Sequence, residues 1–281
     1  MSFEQMGFNP EEQLNKEEKE GEKEEKKEGA DLEIDEDIKR GIEDNLNKGF
    51  LDSANIVAKK GQVNKKAMEK IVEENVLDNF NNRNHKDVLH ILKYYNIGDD
   101  FLKNKAFIEL GKNRVEMKIS QGDIDGAYEV LKDLDIDEKF LETEEALEAA
   151  KIGIRNILPT DDINKALKVQ GFFNIDDAFM REAAEEEIKV RLKDNLAVGA
   201  ISLQKKFDVS EEFMKEAIKE EVLSRLSSGI SLDSIAIFIV KLEIDRSFLN
   251  DKKIKEAIKA RIDNMIGGHG QENIPNIFKG I

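Results

Sequence analysis

The chain has 281 residues, 37% charged and 6% aromatic, with three Pro and neither Cys nor Trp. This composition excludes a disulfide framework, a cysteine nucleophile and a zinc–thiolate site, and it favours a helix-rich protein over a β-sandwich. The net charge of −16 comes with no long basic stripe, which argues against a phosphate backbone as the main partner.

Residues 1–32 form the first segment. Its centre, EEQLNKEEKEGEKEEKKEGA, is almost entirely Glu, Lys and Gly. It has no apolar face to bury, so disorder is expected. Residues 1–33 hold 12 acidic and 5 basic side chains, a net of −7, which leaves −9 on the rest of the chain. Ahead of the charged run stand Phe3, Met6 and Phe8, readable as an unstructured start or as a short linear motif on a charged tether. The N-terminus lacks the basic and apolar regions of a secretory signal. No stretch approaches the ~18 apolar residues of a membrane helix. The expectation is therefore a cytoplasmic protein without a membrane partner.

Residues 33–266 repeat. The stretch FFNIDDAFM at 172–180 has counterparts in YYNIGDDFL, DLDIDEKFL, KFDVSEEFM and KLEIDRSFL. Aligned on the central aliphatic residue, the markers are Ile34, Val63, Ile97, Ile136, Ile175, Val209 and Ile244, spaced 29, 34, 39, 39, 34 and 35 apart. Four residues after each comes an apolar anchor: Ile38, Ala67, Phe101, Phe140, Phe179, Phe213 and Phe248. Nine residues before each marker from the second onward lies Ala54, Val88, Ala127, Ala166, Ala200 or Ile235. A period in this range marks stacked supersecondary units.

Each unit reads as two helices. The residue after the marker is an N-cap type in Asp35, Asn64, Asp137, Asp176, Ser210 and Asp245, with Gly98 at the remaining junction. A longer helix A follows. In the fifth unit its apolar residues are Phe179, Ala183, Ile188, Leu192 and Leu196. A turn such as QGD at 121–123, or LPTDD at 158–162 with Pro159, stops it. Helix B is shorter, with Ile124, Ala127, Val130, Leu131 and Leu134 on one face in one unit. The small residue nine before the marker lets helix B approach helix A. Extra residues in the 39-residue units belong to helix A or its turn, because the helix B offsets do not change. The marker stretch is thus the B-to-A junction, and Phe101, Phe140, Phe179, Phe213 and Phe248 are assigned to repeat packing.

The expected fold is all-α: an α-solenoid of about six stacked helical hairpins plus a terminal helix. In unit length and in its A/B arrangement the array resembles tetratricopeptide and pentatricopeptide repeat proteins. The tetratricopeptide signature is missing, and no pentatricopeptide nucleotide-reading position transfers, because the units hold no 35-residue register.

Residues 267–281, GGHGQENIPNIFKGI, close the chain. The glycines end the last helix and Pro275 blocks its resumption. Ile274, Ile277, Phe278 and Ile281 then form an apolar tail. It reads equally as a cap on the last repeat or as a partner-binding peptide.

Chemistry is sparse. His85 and His90 are five apart rather than the four of a helical zinc pair and read as surface residues, and His269 lies in the glycine-rich tail. No phosphate loop, dinucleotide fingerprint or serine triad signature is present. No cofactor, metal or catalytic residue is assigned, and no enzyme is expected. One recurrence stands out: Arg155, Arg191, Arg225 and Arg261, spaced 36, 34 and 36, late in successive A helices. Such a column could bind an acidic peptide or a nucleic-acid backbone. It could equally pair within each helix, since Glu187 and Glu221 precede Arg191 and Arg225 by four, or cover the seam between repeats with its aliphatic stems. The candidate partner-binding residues are Arg155, Arg191, Arg225, Arg261, Ile274, Ile277 and Phe278. The expected function is a non-enzymatic scaffold or adaptor that binds a protein or peptide. The alternative is an RNA-binding helical repeat using the Arg column.

Overall fold

The computed structural model describes residues 34–242, 246–267 and 275–278. The charged arm through residue 33, the marker Ile244 with Asp245, and Ile274, Ile281 and His269 lie outside the described residues. Among the described residues the fold is all-α, with no strand. The α-helices are α1 (Glu36–Asn47), α2 (Leu51–Lys60), α3 (Lys65–Asn79), α4 (His85–Tyr94), α5 (Asp99–Leu102), α6 (Lys105–Ser120) and α7 (Ile124–Asp133). They continue with α8 (Glu144–Ile157), α9 (Ile163–Phe173), α10 (Asp177–Lys193), α11 (Ala197–Lys206), α12 (Glu211–Ser227), α13 (Leu232–Lys241) and α14 (Lys252–Gly267).

The chain divides into two compact units. One runs to Gly111 and includes Asp133–Asp135; the other comprises Lys112–Lys132 and the chain from Ile136 onward. In the first, α1 packs on α2 and on α3, and α3 on α4. In the second, long helices pack on their own short partners: α8 on α9, α10 on α11 and α12 on α13. Long helices also pack on the next long helix, α8 on α10, α10 on α12 and α12 on α14, and α11 packs on α13.

The junction between a short helix and the next long one has one recurring geometry. The residue just before the marker is left-handed in Gln62, Asn96, Asp135, Asn174 and Asp208, with φ between 50° and 54°. The marker's N–H then reaches back five residues: Val63 to Ala58, Ile97 to Leu92, Ile136 to Leu131, Ile175 to Gln170 and Val209 to Gln204, all at 2.9–3.0 Å. This is the Schellman closure, which satisfies a carbonyl at the helix C-terminus. The next residue already caps the following helical segment. Asp35 accepts from Ile38 N, Asn64 from Ala67 N, Asp137 from Lys139 N, Asp176 from Phe179 N and Ser210 from Phe213 N. A stop, a buried or half-buried aliphatic residue and a start occupy three residues, and the repeated stretch encodes that order.

Asn174 tests the left-handed position. Asn174→Ala is expected to cost about 1 kcal/mol, because a Cβ without a compensating side-chain amide disfavours φ > 0. Asn174→Gly is expected to be neutral or stabilising. Urea midpoints compare the two, and equal midpoints would contradict the assignment.

The positions nine before the markers, Ala54, Val88, Ala127, Ala166, Ala200 and Ile235, have no exposed surface. They are the contact points of the short helices. The long helices differ from expectation at their starts. In the 39-residue units the added residues form a separate first turn, α5 or the 3-10 segment Glu138–Glu142. A new cap then restarts the helix: Asn104 accepts from Ala106 N, and Thr143 from Ala146 N. Leu196 is not in a long helix, because α10 ends at Lys193 and Leu196 precedes α11 as its exposed N-cap. Pro159 sits in the 3-10 turn Leu158–Thr160 that follows α8.

Candidate functional site

Two of the four arginines of the column, Arg191 and Arg225, lie inside the fold. Arg191 on α10 is buried, and its three nitrogens are occupied. Nη2 donates to the Leu158 carbonyl at 2.7 Å, Nη1 to Asp161 at 2.5 Å and Nε to Glu187 at 2.8 Å. Arg225 on α12 is also buried. It donates to the Leu192 and Lys193 carbonyls at 2.9 and 3.2 Å and to Glu221 at 2.7 Å, and its guanidinium lies 4.1 Å from the centre of the Phe238 ring. Arg261 on α14 donates to the Gly229 carbonyl at 2.9 Å. Each guanidinium reaches 32 or 33 residues back, to the C-terminal end of the preceding long helix. There it meets carbonyls left without intrahelical partners and the negative end of the helix dipole.

Arg155 departs from this pattern. It lies 4.7 Å over the Phe179 ring and pairs with Glu186 at 3.0 Å and Glu182 at 3.5 Å. At this level Asn156 makes the backward bond instead, to the Ser120 carbonyl at 3.3 Å. A surface ridge of four arginines is therefore not what the helices present: two are interior staples, one bonds backbone, and one is paired over an aromatic ring.

The anchor phenylalanines form a second register. Phe101 and Phe140 are buried, whereas Phe179, Phe213 and Phe248 are half-buried. At the latter three, the following residue, Met180, Met214 or Leu249, takes the core position. A cation from the preceding long helix covers three of the rings: Lys112 over Phe140 at 5.5 Å, Arg155 over Phe179, and Lys189 over Phe213 at 5.4 Å. At the half-buried Phe179 and Phe213 rings such cation–π attraction contributes about 0.5–1 kcal/mol. In the tail, Phe278 is buried and Ile277 half-buried within the short 3-10 turn Asn276–Phe278.

His85 is not a surface residue. It is buried at the start of α4, with Nε2 3.1 Å from Asp133 Oδ2, both in the first unit. His90 is exposed. Among the described residues no cluster of three or more His, Asp or Glu could hold a metal ion, and no helix is long and apolar enough to cross a membrane.

A groove with an apolar floor lies in the second unit between α6 and α8. Its volume is about 630 Å³, and Asn113, Glu116, Met117, Ser120, Glu144, Glu145, Glu148, Ala149 and Ile152 line it. Met117 and Ile152 are 36% and 52% exposed. Val190 on α10 is likewise outward, 51% exposed. Four carboxylates border the groove. The Glu145 carboxyl is held below the ordinary carboxylate range by a hydrogen bond from its own backbone N–H, by the Thr143 hydroxyl, and by the charge of Lys112. Glu148 pairs with Lys151 at 2.6 Å.

Sequence reasoning did not single out this groove. Its signal is nonetheless in the chain. In VEMKI at 115–119, KIGI at 151–154 and IKVRL at 188–192, apolar residues stand two apart. Residues two apart in a helix face opposite sides, so where Val115, Ile119, Ile154, Ile188 and Leu192 are buried, Met117, Ile152 and Val190 must face outward.

No protein-family model, curated protein or solved structure matches this chain.

Proposed function

We propose that this protein is a non-enzymatic scaffold, an α-solenoid of about six stacked helical hairpins related in layout to tetratricopeptide-type repeats, that binds another protein through its long helices. The repeated junction carries the reading. The same left-handed residue and backward N–H bond recur at five markers with the period of the sequence, and a side-chain N-cap follows at four of them. Equal junctions give equal hairpins, and equal hairpins bury their faces against one another. The Arg191, Arg225 and Arg261 staples support the same view, since each joins one long helix to the end of the one before. Outward apolar side chains on three long helices, Met117, Ile152 and Val190, suit a protein partner better than a polyanion. A cytoplasmic location goes with this proposal.

The test is affinity purification of the tagged full-length chain, with protein and RNA quantified in the same eluate. A stoichiometric protein partner that survives nuclease and high salt is the expected result. Recovery of RNA alone, lost as salt rises, would replace the scaffold with the nucleic-acid reading.

A further inference from the structure

The last short helix departs from the repeat that it belongs to. Seven of the ten residues of α13, LDSIAIFIVK, are apolar, more than one packed face needs. Leu232, Ile235, Ala236, Phe238 and Ile239 are buried, which leaves Ile237 and Val240 outward, 55% and 65% exposed. These two places lie seven and four residues before the marker. On α7 they hold Glu129 and Lys132, on α9 Lys168 and Gly171, and on α11 Ser202 and Lys205, all exposed. Within the second unit, α13 sets two branched apolar side chains where the other short helices set polar residues or glycine.

The charges that flank this apolar centre fit a second copy of the same face. Asp233 lies four residues before Ile237 and Lys241 four after, so the three stand on one side of the helix, about 6 Å apart along its axis at 1.5 Å per residue. Both charged side chains are exposed, and among the described residues neither is engaged in an ion pair. Helix ends favour an acid first and a base last; the apolar residue midway between them makes the face its own complement. A two-fold axis through Ile237 sets two copies antiparallel, with Ile237 on Ile237 and Asp233 of each copy level with Lys241 of the other. An isologous dimer requires such a self-complementary patch. The pair Asp233 and Lys241 carries no net charge, so the chain's −16 opposes the contact only at long range, where salt screens it.

We infer that the outward face of α13 is a homodimer surface, on which two copies pack antiparallel through Ile237 and Val240 with reciprocal Asp233–Lys241 pairs. One ten-residue helix from each copy makes a small interface, below about 1,200 Å², the class of weak and reversible association. The apolar centre supplies the affinity, and the charges fix the antiparallel orientation. Pairing through a short helix leaves the long helices free and presents their surface twice, so a partner with two binding segments gains avidity. This goes beyond the scaffold reading and does not depend on it.

The test is sedimentation velocity of the full-length protein over a concentration series at physiological salt. The wild-type protein should pass from monomer to dimer as concentration rises. Ile237→Glu should raise the dimer dissociation constant at least tenfold, while Ser202→Glu, at the corresponding place on α11, should leave it unchanged. Asp233→Lys and Lys241→Asp should each dimerise several-fold more weakly alone. An equimolar mixture of those two should recover the wild-type dimer, because each copy then meets the opposite charge at both ends of the helix. All four substituted side chains are exposed, so circular dichroism should show equal helix content throughout. A chain that stays monomeric at every concentration, a dimer that Ile237→Glu leaves intact, or a mixture that associates no better than either charge variant alone would overturn the assignment.

Discussion

Arg191→Met is expected to lower the stability of the protein by about 3–5 kcal/mol, the cost of breaking a buried ion pair from one side. The guanidinium is 3% exposed and serves three acceptors at once. Methionine fills part of the volume but leaves the largely buried Glu187 carboxylate without its guanidinium and the Leu158 carbonyl with only the Asp161 N–H at 3.3 Å. Arg191→Lys should recover little, because a point ammonium cannot span acceptors arranged around a planar fork. Gly199 is part of the same fit: a Cβ there would lie 2.5 Å from Arg191 Nη1. Gly199→Ala should therefore weaken the staple without touching the arginine. Arg261→Met is the matched control, since its bond to the Gly229 carbonyl is exposed. Exposed charged contacts contribute about 0–1 kcal/mol. Urea unfolding followed by circular dichroism gives all four values. If Arg191→Met and Arg261→Met fell within 1 kcal/mol of each other, the buried-staple account would be wrong.

The staple also shows where sequence reasoning ran out. The column was visible as a recurrence, and the i,i+4 glutamates before Arg191 and Arg225 were visible too. The acceptors were not, because a backbone carbonyl leaves no trace in residue identity. Nothing in the letters says that Leu158, Leu192 or Gly229 ends a helix in reach of a cation 33 or 32 residues later. The junction was far more legible. N-cap residues, small contact residues and anchors all hold fixed offsets from the marker, because each answers a local requirement of helix ends or close packing. The left-handed residue was in plain sight as Asn96, Asp135, Asn174 and Asp208, residue types enriched at φ > 0. The separate first turns before α6 and α8 were hidden, since caps at Asn104 and Thr143 look like ordinary polar positions inside a long helix. The groove was hidden for a different reason. Periodicity finds the buried face, and Met117, Ile152 and Val190 register only as residues that fail to belong to it.

The second large effect comes from two glycines that should respond to alanine with opposite signs. Gly153 lies within α8, and a Cβ there would stand 2.7 Å from the Ile119 carbonyl oxygen and 3.2 Å from Ser120 Cα. Those atoms are backbone at the end of α6, so they cannot rotate aside as a side chain would. The helices approach this closely because residue 153 has no side chain, and the bond from Asn156 to the Ser120 carbonyl is made at the same crossing. Alanine gains up to about 1 kcal/mol of helix propensity, but forcing a methyl into a packed contact costs typically 1–3 kcal/mol, occasionally more. Gly153→Ala is therefore expected to be net destabilising by about 1–3 kcal/mol, and Gly153→Val by more. Gly171 in α9 has no atom within 4 Å of its would-be Cβ. There only the propensity remains, so Gly171→Ala should stabilise by up to about 1 kcal/mol. Both variants can be read in the same thermal and urea titrations. Stabilisation by both would mean that α8 does not cross the end of α6 at this distance.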